Sequence, residues 1–506
     1  MKKQLCSTRG SYIDADFWTA VRNGVADDGG LIIPADWGSD VCSSDLTRQI
    51  DVETLPLSYP DIAQAVLACF ADDLDTQSLK ALIHQAYDGR FDAEDVVRLS
   101  PLGEDFLLEL YHGPTAAFKD IALSLLPLFL GEASRRQKQP KKTLILTATS
   151  GDTGKAALEG FKNRPDCELL VFYPDHLVSE IQQRQMVSSE GRNVGVCAIR
   201  GNFDDAQSAV KRCFADPQLR AALNACQLEL SSANSINIGR LVPQIVYYFW
   251  AYRQLRQRGV LTAGQTLDFS VPTGNFGDIL AGYYAKQMGL PVGKLIVASN
   301  ANNVLTEFFT TGRYNRRRPF MKTMSPSMDI LISSNLERLL AHETGLDGQQ
   351  VAAYMDQLQK QGEYQIDSTL LHRLQKQFAC GDCTDEQASE TIRQVYAESG
   401  QVLDPHTAVG VHVLRQLRSE GFEKNPCVVL ATASCYKFSK DVYEALFGPA
   451  DMDEWTAMEQ LNKRTGISIP APLQGLRDKP VRHTDQIEKD AILDYVRQKA
   501  QAMSHD

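Results

Sequence analysis

The fold class is indicated most clearly by the stretch Lys141-Lys-Thr-Leu-Ile-Leu-Thr-Ala-Thr-Ser-Gly-Asp-Thr-Gly-Lys-Ala156. Its apolar run, residues 143–147, predicts a short strand that is buried on both faces of a parallel sheet. Small residues follow up to Gly154, and a helix is predicted from about Lys155. Such a loop lets backbone N–H groups converge on an anion at a helix N-terminus, although a plain capped turn explains the same residues. A nucleotide P-loop is disfavoured, because Thr149 occupies the position of its first glycine and Ala156 that of its Ser or Thr.

The same alternation of strand and helix continues along most of the chain. The predicted strands are 143–147, 169–173, 194–199, 267–271, 295–298 and 428–430, and the clearest predicted helices are 204–215, 240–258 and 277–288. This order predicts an α/β fold with open, twisted, mostly parallel sheets covered by helices on both sides. Ligands of such sheets bind beyond the carboxyl ends of the strands, so the loops that follow the strands are the candidate site.

The ends of the chain have a different character from this central region. Residues 1–95 show helical periodicity and predict a helical N-terminal domain, whereas 451–506 form a polar, partly helical C-terminal extension. Residues 38–46, Gly-Ser-Asp-Val-Cys-Ser-Ser-Asp-Leu, lack any periodicity and can be back-translated through a sequencing-adapter oligonucleotide. We therefore hypothesise that this segment is an assembly artefact, which resequencing of the source DNA would test.

The composition excludes several classes of protein. With 506 residues, 43% hydrophobic and 23% charged, the chain is an ordinary globular protein of two to four domains. Its net charge of −11 disfavours a general nucleic-acid binder, and no apolar stretch approaches the length of a membrane span. Eleven scattered cysteines favour a reducing compartment, so we expect a cytoplasmic protein. The single CxxC, Cys380 to Cys383, predicts a loop without chemical importance, and we expect no metal site.

Three more loops carry residues that suit chemistry. Residues 271–278, Val-Pro-Thr-Gly-Asn-Phe-Gly-Asp, form a second glycine-rich turn between a strand and a helix, so two anionic groups are expected side by side. Lys119 begins an apolar helix, where the helix N-terminus and its apolar neighbours would lower the pKa of its amine and suit it to forming a Schiff base. Thr432 ends the last predicted strand and offers a neutral hydroxyl, unless it only caps the next helix.

Taken together, these segments resemble the threonine synthases, pyridoxal-phosphate enzymes of the tryptophan-synthase-β fold type. The matching segments are HGPTAAFKD (112–120), TATSGDTGKAA (147–157), SANSINIGRLVPQ (232–244), VPTGNFGDILAGYYAKQMGLP (271–291) and ATASCYKFSKDVYEAL (431–446). STRG (7–10) and DDGGLIIP (27–34) also resemble the entry segment of that family. The resemblance implies fold type II, with a catalytic region at 96–450 that contains a smaller α/β subdomain at about 140–255. Cys435 departs from the family, which has proline there, and would bring a thiol close to the cofactor ring.

The resemblance also implies a role for each loop. Lys119 would carry pyridoxal 5'-phosphate, the loop Gly274-Asn275-Phe276-Gly277-Asp278 would hold its phosphate, and Thr432 would meet its pyridine nitrogen. Ser150, Gly151, Asp152 and Thr153 would take the α-carboxylate of the substrate. Asn237 and Arg240 are the candidates for the substrate phosphate, although an ion pair at a helix start explains Arg240 nearly as well. His406 is expected to be a structural histidine.

The implied reaction converts O-phospho-L-homoserine and water to L-threonine and phosphate, by γ-elimination followed by addition of water at Cβ. A threonine or serine dehydratase of the same fold type is the alternative enzyme, and it would need no second phosphate site. A non-catalytic relative that binds pyridoxal phosphate or a phosphorylated amino acid is the alternative from another class, which the intact Lys119 disfavours. The expected partner is this small-molecule substrate, in a monomer or homodimer that binds neither nucleic acid nor membrane.

Overall fold

The computed structural model describes residues 5–10, 12–13, 16–35, 49–93, 95–201, 203–423 and 425–503. Residues 38–46, for which we hypothesise an artefactual origin, lie outside the described residues. Within the described part of the chain, no helix is both long and apolar enough to cross a membrane.

The N-terminal region combines three helices with a small antiparallel sheet. Its elements are β1 (Leu5–Ser7), β2 (Tyr12–Ile13), α1 (Phe17–Asn23), β3 (Ile32–Pro34), α2 (Tyr59–Ala68) and α3 (Thr76–Tyr87). Asp16, Ser58 and Asp75 cap the three helices by accepting a backbone N–H of the first turn. The helices agree with the predicted helical character. The sheet, in the order β2-β1-β3, was not predicted, because strands of two or three residues are too short to show an alternating pattern.

The middle of the chain builds the smaller α/β unit. Its elements, with those that lead into it, are β4 (Arg98–Leu102), β5 (Asp105–Glu109), α4 (Lys119–Arg135), β6 (Lys142–Ala148), α5 (Asp152–Phe161), β7 (Cys167–Pro174), α6 (Glu180–Val187), β8 (Val194–Arg200), α7 (Phe203–Ala215), α8 (Pro217–Ala225) and β9 (Leu228–Ser232). Neighbouring residues of β6 and β7 belong to different core clusters, one against α4 and α5 and the other against α7 and α8. Both faces of this sheet are therefore buried, as the apolar runs predict.

The remainder of the chain completes the larger sheet and the C-terminal region. Its elements are α9 (Ile238–Gln257), β10 (Leu267–Pro272), α10 (Gly277–Gln287), β11 (Val292–Ser299), α11 (Val304–Thr311), β12 (Arg313–Asn315), α12 (Leu336–Glu343), α13 (Gly348–Gln361), β13 (Glu363–Gln365), α14 (Ser368–Gln377), β14 (Phe378–Asp382), α15 (Asp385–Ser399), α16 (Pro405–Ser419), β15 (Cys427–Ala431), α17 (Ser439–Phe447), α18 (Glu454–Thr465), β16 (Asp485–Glu488) and α19 (Ile492–Met503).

Two mostly parallel sheets organise these elements, which confirms the predicted fold class. The larger sheet has the strand order β14-β11-β10-β15-β5-β4, and only its β4–β5 pair is antiparallel. The smaller sheet is parallel throughout, in the order β16-β8-β7-β6-β9. The long helices α4 and α9 pack against each other in the largest core cluster. Because α4 and α9 are buried along nearly their whole length, the polar residues at their first turns face the interior of the protein.

Two sequence-based expectations differ from the structure. The C-terminal extension does not form a separate tail, since β16 pairs with β8 as an edge strand of the smaller sheet and α19 packs on α7 and α8. The Cys380 to Cys383 segment is not a loop, because Cys380 lies in edge strand β14 and Cys383 follows that strand directly. Among the described residues, no cluster of three side chains suits a metal ion, and no two cysteines form a disulfide.

Candidate active site

A cavity lies at the carboxyl ends of the strands, where the predicted loops meet. Its lining residues are Phe118, Lys119, Ala148, Thr149, Ser150, Thr153, Asn234, Ser235, Arg240, Gln244, Pro272, Thr273, Gly274, Asn275, Phe276, Gly277, Asp278, Ser327, Met328, His406 and Thr432. These residues come from both sheets, so the cavity lies between the two α/β units. This position is the one that an open parallel sheet offers to a ligand.

The structure explains how Lys119 and Thr432 come together. Ala117 forms an isolated bridge with Ala433, and the N–H of Phe118 donates to the carbonyl oxygen of Thr432 over 2.8 Å. These backbone contacts hold the turn before α4 against the end of β15. Lys119 begins α4 directly beside Thr432, and both residues line the cavity.

The Lys119 amine lies in a setting that favours its neutral form. Its side chain is buried, and burial is the largest effect that lowers the pKa of the amine below its ordinary value. Asp152 opposes this effect, whereas the positive charges of Lys437 and Arg240 add to it. The Nζ atom donates to the Ser327 hydroxyl over 3.4 Å and lies 3.5 Å from Oδ2 of Asp152. An amine of this kind is suited to nucleophilic and proton-transfer chemistry.

The loop 274–278 has the form of an anion-binding turn. Phe276, at φ 62°, caps α10 in a left-handed conformation, so the loop folds back over the start of that helix. The carbonyl oxygen of Asn275 accepts from both the backbone N–H and the side-chain amide of Asn335. Gly274 approaches a neighbouring loop so closely that a Cβ there would lie 2.9 Å from the Ser327 carbonyl oxygen. A side chain at residue 274 would thus disturb the wall of the cavity.

Asp278 brings an unusual carboxyl group to the same turn. Its Oδ1 accepts from the hydroxyls of Tyr247 (2.5 Å) and Tyr248 (3.0 Å), and its Oδ2 is buried without a partner. Burial raises the pKa of this carboxyl group to about 6, although the hydrogen bonds from the two tyrosine hydroxyls and the positive charge of Lys119 each act to lower it. Asp278 ties the loop to α9, and its charge changes with pH in the acidic range.

Arg240 also lines the cavity, and no carboxylate pairs with it in the described residues. It is 3% exposed, its Nη1 donates to the carbonyl oxygen of Ala233 over 2.5 Å, and its buried Nε has no partner. Burial lowers its pKa to about 10. An ion pair at the helix start was the alternative explanation for Arg240, and the structure contradicts it. The side chain is a buried cation that needs an anion.

Asn237 does not join Arg240 in the cavity. Its Nδ2 donates to the carbonyl oxygens of Val21 (2.8 Å) and Ser232 (3.1 Å), and its Oδ1 accepts from the N–H of Gly239 over 2.9 Å. It is fully buried as the N-cap of α9 and does not line the cavity. Predicting Asn237 as a phosphate ligand was therefore wrong: its amide holds the start of α9 in place. Asn234 and Ser235 of the same segment line the cavity instead.

The loop 150–153 is only partly directed into the cavity. Ser150 and Thr153 line it, whereas Gly151 and Asp152 do not. Gly151 adopts φ 133°, and a Cβ there would overlap the Gln182 amide at 2.5 Å. The Asp152 carboxylate points to Lys119 and Lys437, so its side chain cannot receive a substrate carboxylate.

Sequence reasoning missed several cavity residues. Ser327 and Met328 belong to a short 3-10 turn, Pro326–Met328, whose sequence has no motif-like pattern. His406 was expected to be structural, and it is hydrogen-bonded on both ring nitrogens while it also lines the cavity. Cys435 was expected to bring a thiol close to the cofactor ring, but this residue is buried and does not line the cavity. Lys437, two residues further, is fully buried near Lys119.

Three families match the chain in succession. Residues 4–87 match the threonine synthase N terminus, 96–433 match the pyridoxal-phosphate dependent enzymes, and 407–496 match the C-terminal region of threonine synthase.

Individual proteins extend this similarity over nearly the whole chain. A threonine synthase of Pseudomonas aeruginosa is 40% identical over 88% of this chain and 90% of its own length. A threonine synthase of Saccharomyces cerevisiae is 36% identical over 85% of this chain and 87% of its own length. The crystal structure of a threonine synthase from Brucella melitensis with bound pyridoxal phosphate superposes with a TM-score of 0.84, at 35% identity over all of both chains.

Proposed function

This chain belongs to the threonine synthase family of pyridoxal-phosphate-dependent enzymes, and we propose that it converts O-phospho-L-homoserine and water to L-threonine and phosphate. The observation that supports this most directly is that one cavity holds both the amine of Lys119 and the guanidinium of Arg240. Lys119 is a buried amine that suits a carbonyl cofactor, and Arg240 is a buried guanidinium whose Nε has no partner and could bind an anion. A substrate that carries both an amino group and a phosphate would satisfy both.

The residues around Lys119 fit pyridoxal phosphate. Backbone N–H groups at the start of α10, in the loop Gly274 to Asp278, would hold its phosphate, and Thr432 would face its ring nitrogen. Asn275 contributes a buried side-chain oxygen without a partner, which a bound ligand or water would satisfy. When bound, this cofactor supplies an aldehyde that links to an amine and a ring that accepts electrons from Cα.

A second group of cavity residues suits the substrate. Ser150 and Thr153, at the start of α5, would receive the α-carboxylate through hydroxyls and backbone N–H groups. Arg240 would bind the phosphate ester, with Asn234 and Ser235 beside it. The charge on the leaving phosphate grows as its C–O bond breaks, so the guanidinium stabilises the transition state more than the ground state.

Lys119 would carry the proton of the reaction. Burial lowers the pKa of this amine below its ordinary value, which favours the neutral form that could take a proton from Cα of the substrate. The Ser327 hydroxyl and the Asp152 carboxylate, both within 3.5 Å, would then hold the resulting ammonium. The same group is therefore placed to return a proton at a later step.

Specific observations weigh against the two alternatives. A threonine or serine dehydratase would leave the buried charge of Arg240 without an anion, which is costly. A non-catalytic binder would gain nothing from an amine whose pKa is lowered. We further propose that the enzyme acts in the cytoplasm as a monomer or homodimer, in keeping with the reduced cysteines of the described chain.

Purified enzyme should release phosphate from O-phospho-L-homoserine and form an equimolar amount of threonine. The assay measures both products, and it measures 2-oxoacid formation from threonine and serine in parallel. The variant Lys119→Ala is the control for background hydrolysis. Faster 2-oxoacid formation than phosphate release would favour the dehydratase, and no turnover of any of these substrates would favour the binding protein.

A further inference from the structure

We propose that Lys437 is a positioning residue of this active site, which holds the Asp152 carboxylate so that its second oxygen faces the Lys119 amine. Lys437 Nζ lies 2.6 Å from Oδ1 of Asp152, while Oδ2 of the same carboxylate lies 3.5 Å from Lys119 Nζ. One carboxylate thus lies between two lysines. The inference rests on the proposed function, because it assigns Lys119 the work of carrying a proton.

The orientation of the Asp152 carboxylate is set by several groups. Gln182 donates to Oδ1 over 2.7 Å, and as the third residue of α6 it forms a capping box with Ser179, the N-cap of that helix. The Ser179 hydroxyl in turn donates to the carbonyl oxygen of Lys437 over 3.1 Å. Lys437 Nζ also donates to the carbonyl oxygen of Thr115 over 3.1 Å, in the turn that precedes Lys119. Two groups bind Oδ1, and this arrangement leaves Oδ2 directed at Lys119.

A purely structural explanation of the pair is the weaker one. Asp152 is 2% exposed and Lys437 is fully buried, so both charges have lost their hydration. A buried ion pair seldom stabilises a fold more than apolar residues of the same volume would, and it is retained where its charge has a further use. Here the further use is adjacent, because the third member of the cluster is the amine of Lys119.

The charges determine what the arrangement does to Lys119. Burial works to raise the pKa of Asp152, but the ammonium groups of Lys437 and Lys119 outweigh burial and hold that pKa well below its ordinary range. Asp152 consequently stays ionised and does not take a proton from Lys119. Lys437 neutralises much of the field of this carboxylate, so Lys119 can still lose its proton. Without Lys437, the carboxylate would be balanced by Lys119 alone, which would then hold its proton more tightly.

Other charged or titratable groups also face Lys119. These are Arg240 of α9, Asp278 of α10 and His406 of α16, in addition to Asp152 and Lys437. Each of them remains in place when Lys437 is replaced. A change in the titration of Lys119 would therefore report the loss of Lys437.

The test measures the titration of Lys119 in the full-length protein freed of cofactor. The rate at which acetic anhydride acetylates Lys119 is followed across pH by peptide mass spectrometry, which reports the pKa of this amine independently of turnover. In Lys437→Met the midpoint should rise by about 1–3 pH units, and in Asp152→Asn it should fall, because the two changes remove charges of opposite sign. Lys437→Arg keeps the charge and should remain close to the parent protein.

The matched control is Lys155→Met. Lys155 is a half-buried lysine, its Nζ lies 3.3 Å from Glu159 and donates to the Ser189 hydroxyl, and it does not line the cavity. Its replacement should leave the midpoint unchanged. A turnover assay with the Lys437 variants should show a loss in kcat that exceeds the change in KM, since the proton carrier is affected and the substrate contacts are not.

Midpoints that are equal in parent, Lys437→Met and Asp152→Asn would overturn the proposal. If Lys437→Met does not fold, the comparison of parent, Lys437→Arg and Asp152→Asn decides, and an unshifted midpoint in Asp152→Asn overturns it. Failure of the proposed function looks different. In that case the midpoints shift as expected while the parent enzyme releases no phosphate from O-phospho-L-homoserine.

Discussion

Replacing Arg240 by methionine should lower activity and yet leave the protein at least as stable as before. The displacement of the Arg240 pKa to about 10 corresponds to about 3 kcal/mol against the charged form of the guanidinium. The substitution removes this cost, but it leaves the Ala233 carbonyl oxygen without its donor, which costs about 1–3 kcal/mol. The free energy of unfolding should therefore change by about 0 to +2 kcal/mol in favour of the folded state.

The loss of activity has a separate magnitude. A hydrogen bond to a charged group contributes about 1.5–3 kcal/mol, so kcat/KM for O-phospho-L-homoserine should fall by about 10- to 100-fold. Any deamination of serine or threonine should survive, because those substrates have no phosphate. Inorganic phosphate should inhibit the variant less well than the parent, and it should raise the unfolding midpoint of the parent more than that of the variant.

Urea unfolding of the cofactor-free protein and steady-state kinetics measure these two effects. Asn237→Ala is the control from the same segment. It should destabilise the protein by about 2–4 kcal/mol, through the lost cap and two lost hydrogen bonds, without a selective loss of phosphate inhibition. The reasoning about Arg240 is refuted if Arg240→Met loses about 3–5 kcal/mol of stability, the cost of breaking a buried ion pair, or if both activities fall equally.

Three other predictions concern the cofactor side of the cavity. Lys119→Ala should abolish turnover in a folded protein, and borohydride should no longer fix the cofactor to the chain; turnover like that of the parent would contradict the assignment. Gly274→Ala should weaken cofactor binding in an equilibrium titration, because its Cβ would lie 2.9 Å from the Ser327 carbonyl oxygen. Gly277→Ala, with its nearest neighbours at 3.4 Å, should weaken binding less, and equal effects of the two changes would show that the contact with Ser327 is not the cause. Asp278 has a pKa raised to about 6, so its carboxylate loses its charge as the pH falls through that value, and sulfate should bind the cofactor-free protein more tightly at pH 5 than at pH 7. Calorimetry should find a smaller difference in sulfate affinity between the two pH values in Asp278→Asn, and an unchanged difference would exclude Asp278 as its source.

Much of the architecture follows from local sequence patterns. The apolar run 169–173 lies within β7, since a strand buried on both faces is mostly apolar. The predicted strand 267–271 lies within β10, which is apolar apart from the buried Asp268 and Ser270. The glycine-rich turns after such strands are equally local signals. Edge strands such as β14 and β16 escaped prediction, because β14 is only partly buried, β16 is mostly exposed, and the sequences of both are mixed.

Motifs in the chain also predicted the residue types of the site and the order of its loops. Which side chains reach the cavity depends on how the chain folds. Asn237 and Arg240 lie one helical turn apart and look equally suitable in sequence, but packing against the N-terminal region uses the amide of Asn237 completely. Asp152 belongs to a loop that suits an anion, yet Lys437, distant in the chain, turns its carboxylate toward Lys119. The physical reason is that a side chain's direction and charge state depend on neighbours brought together by folding, which local sequence patterns do not record.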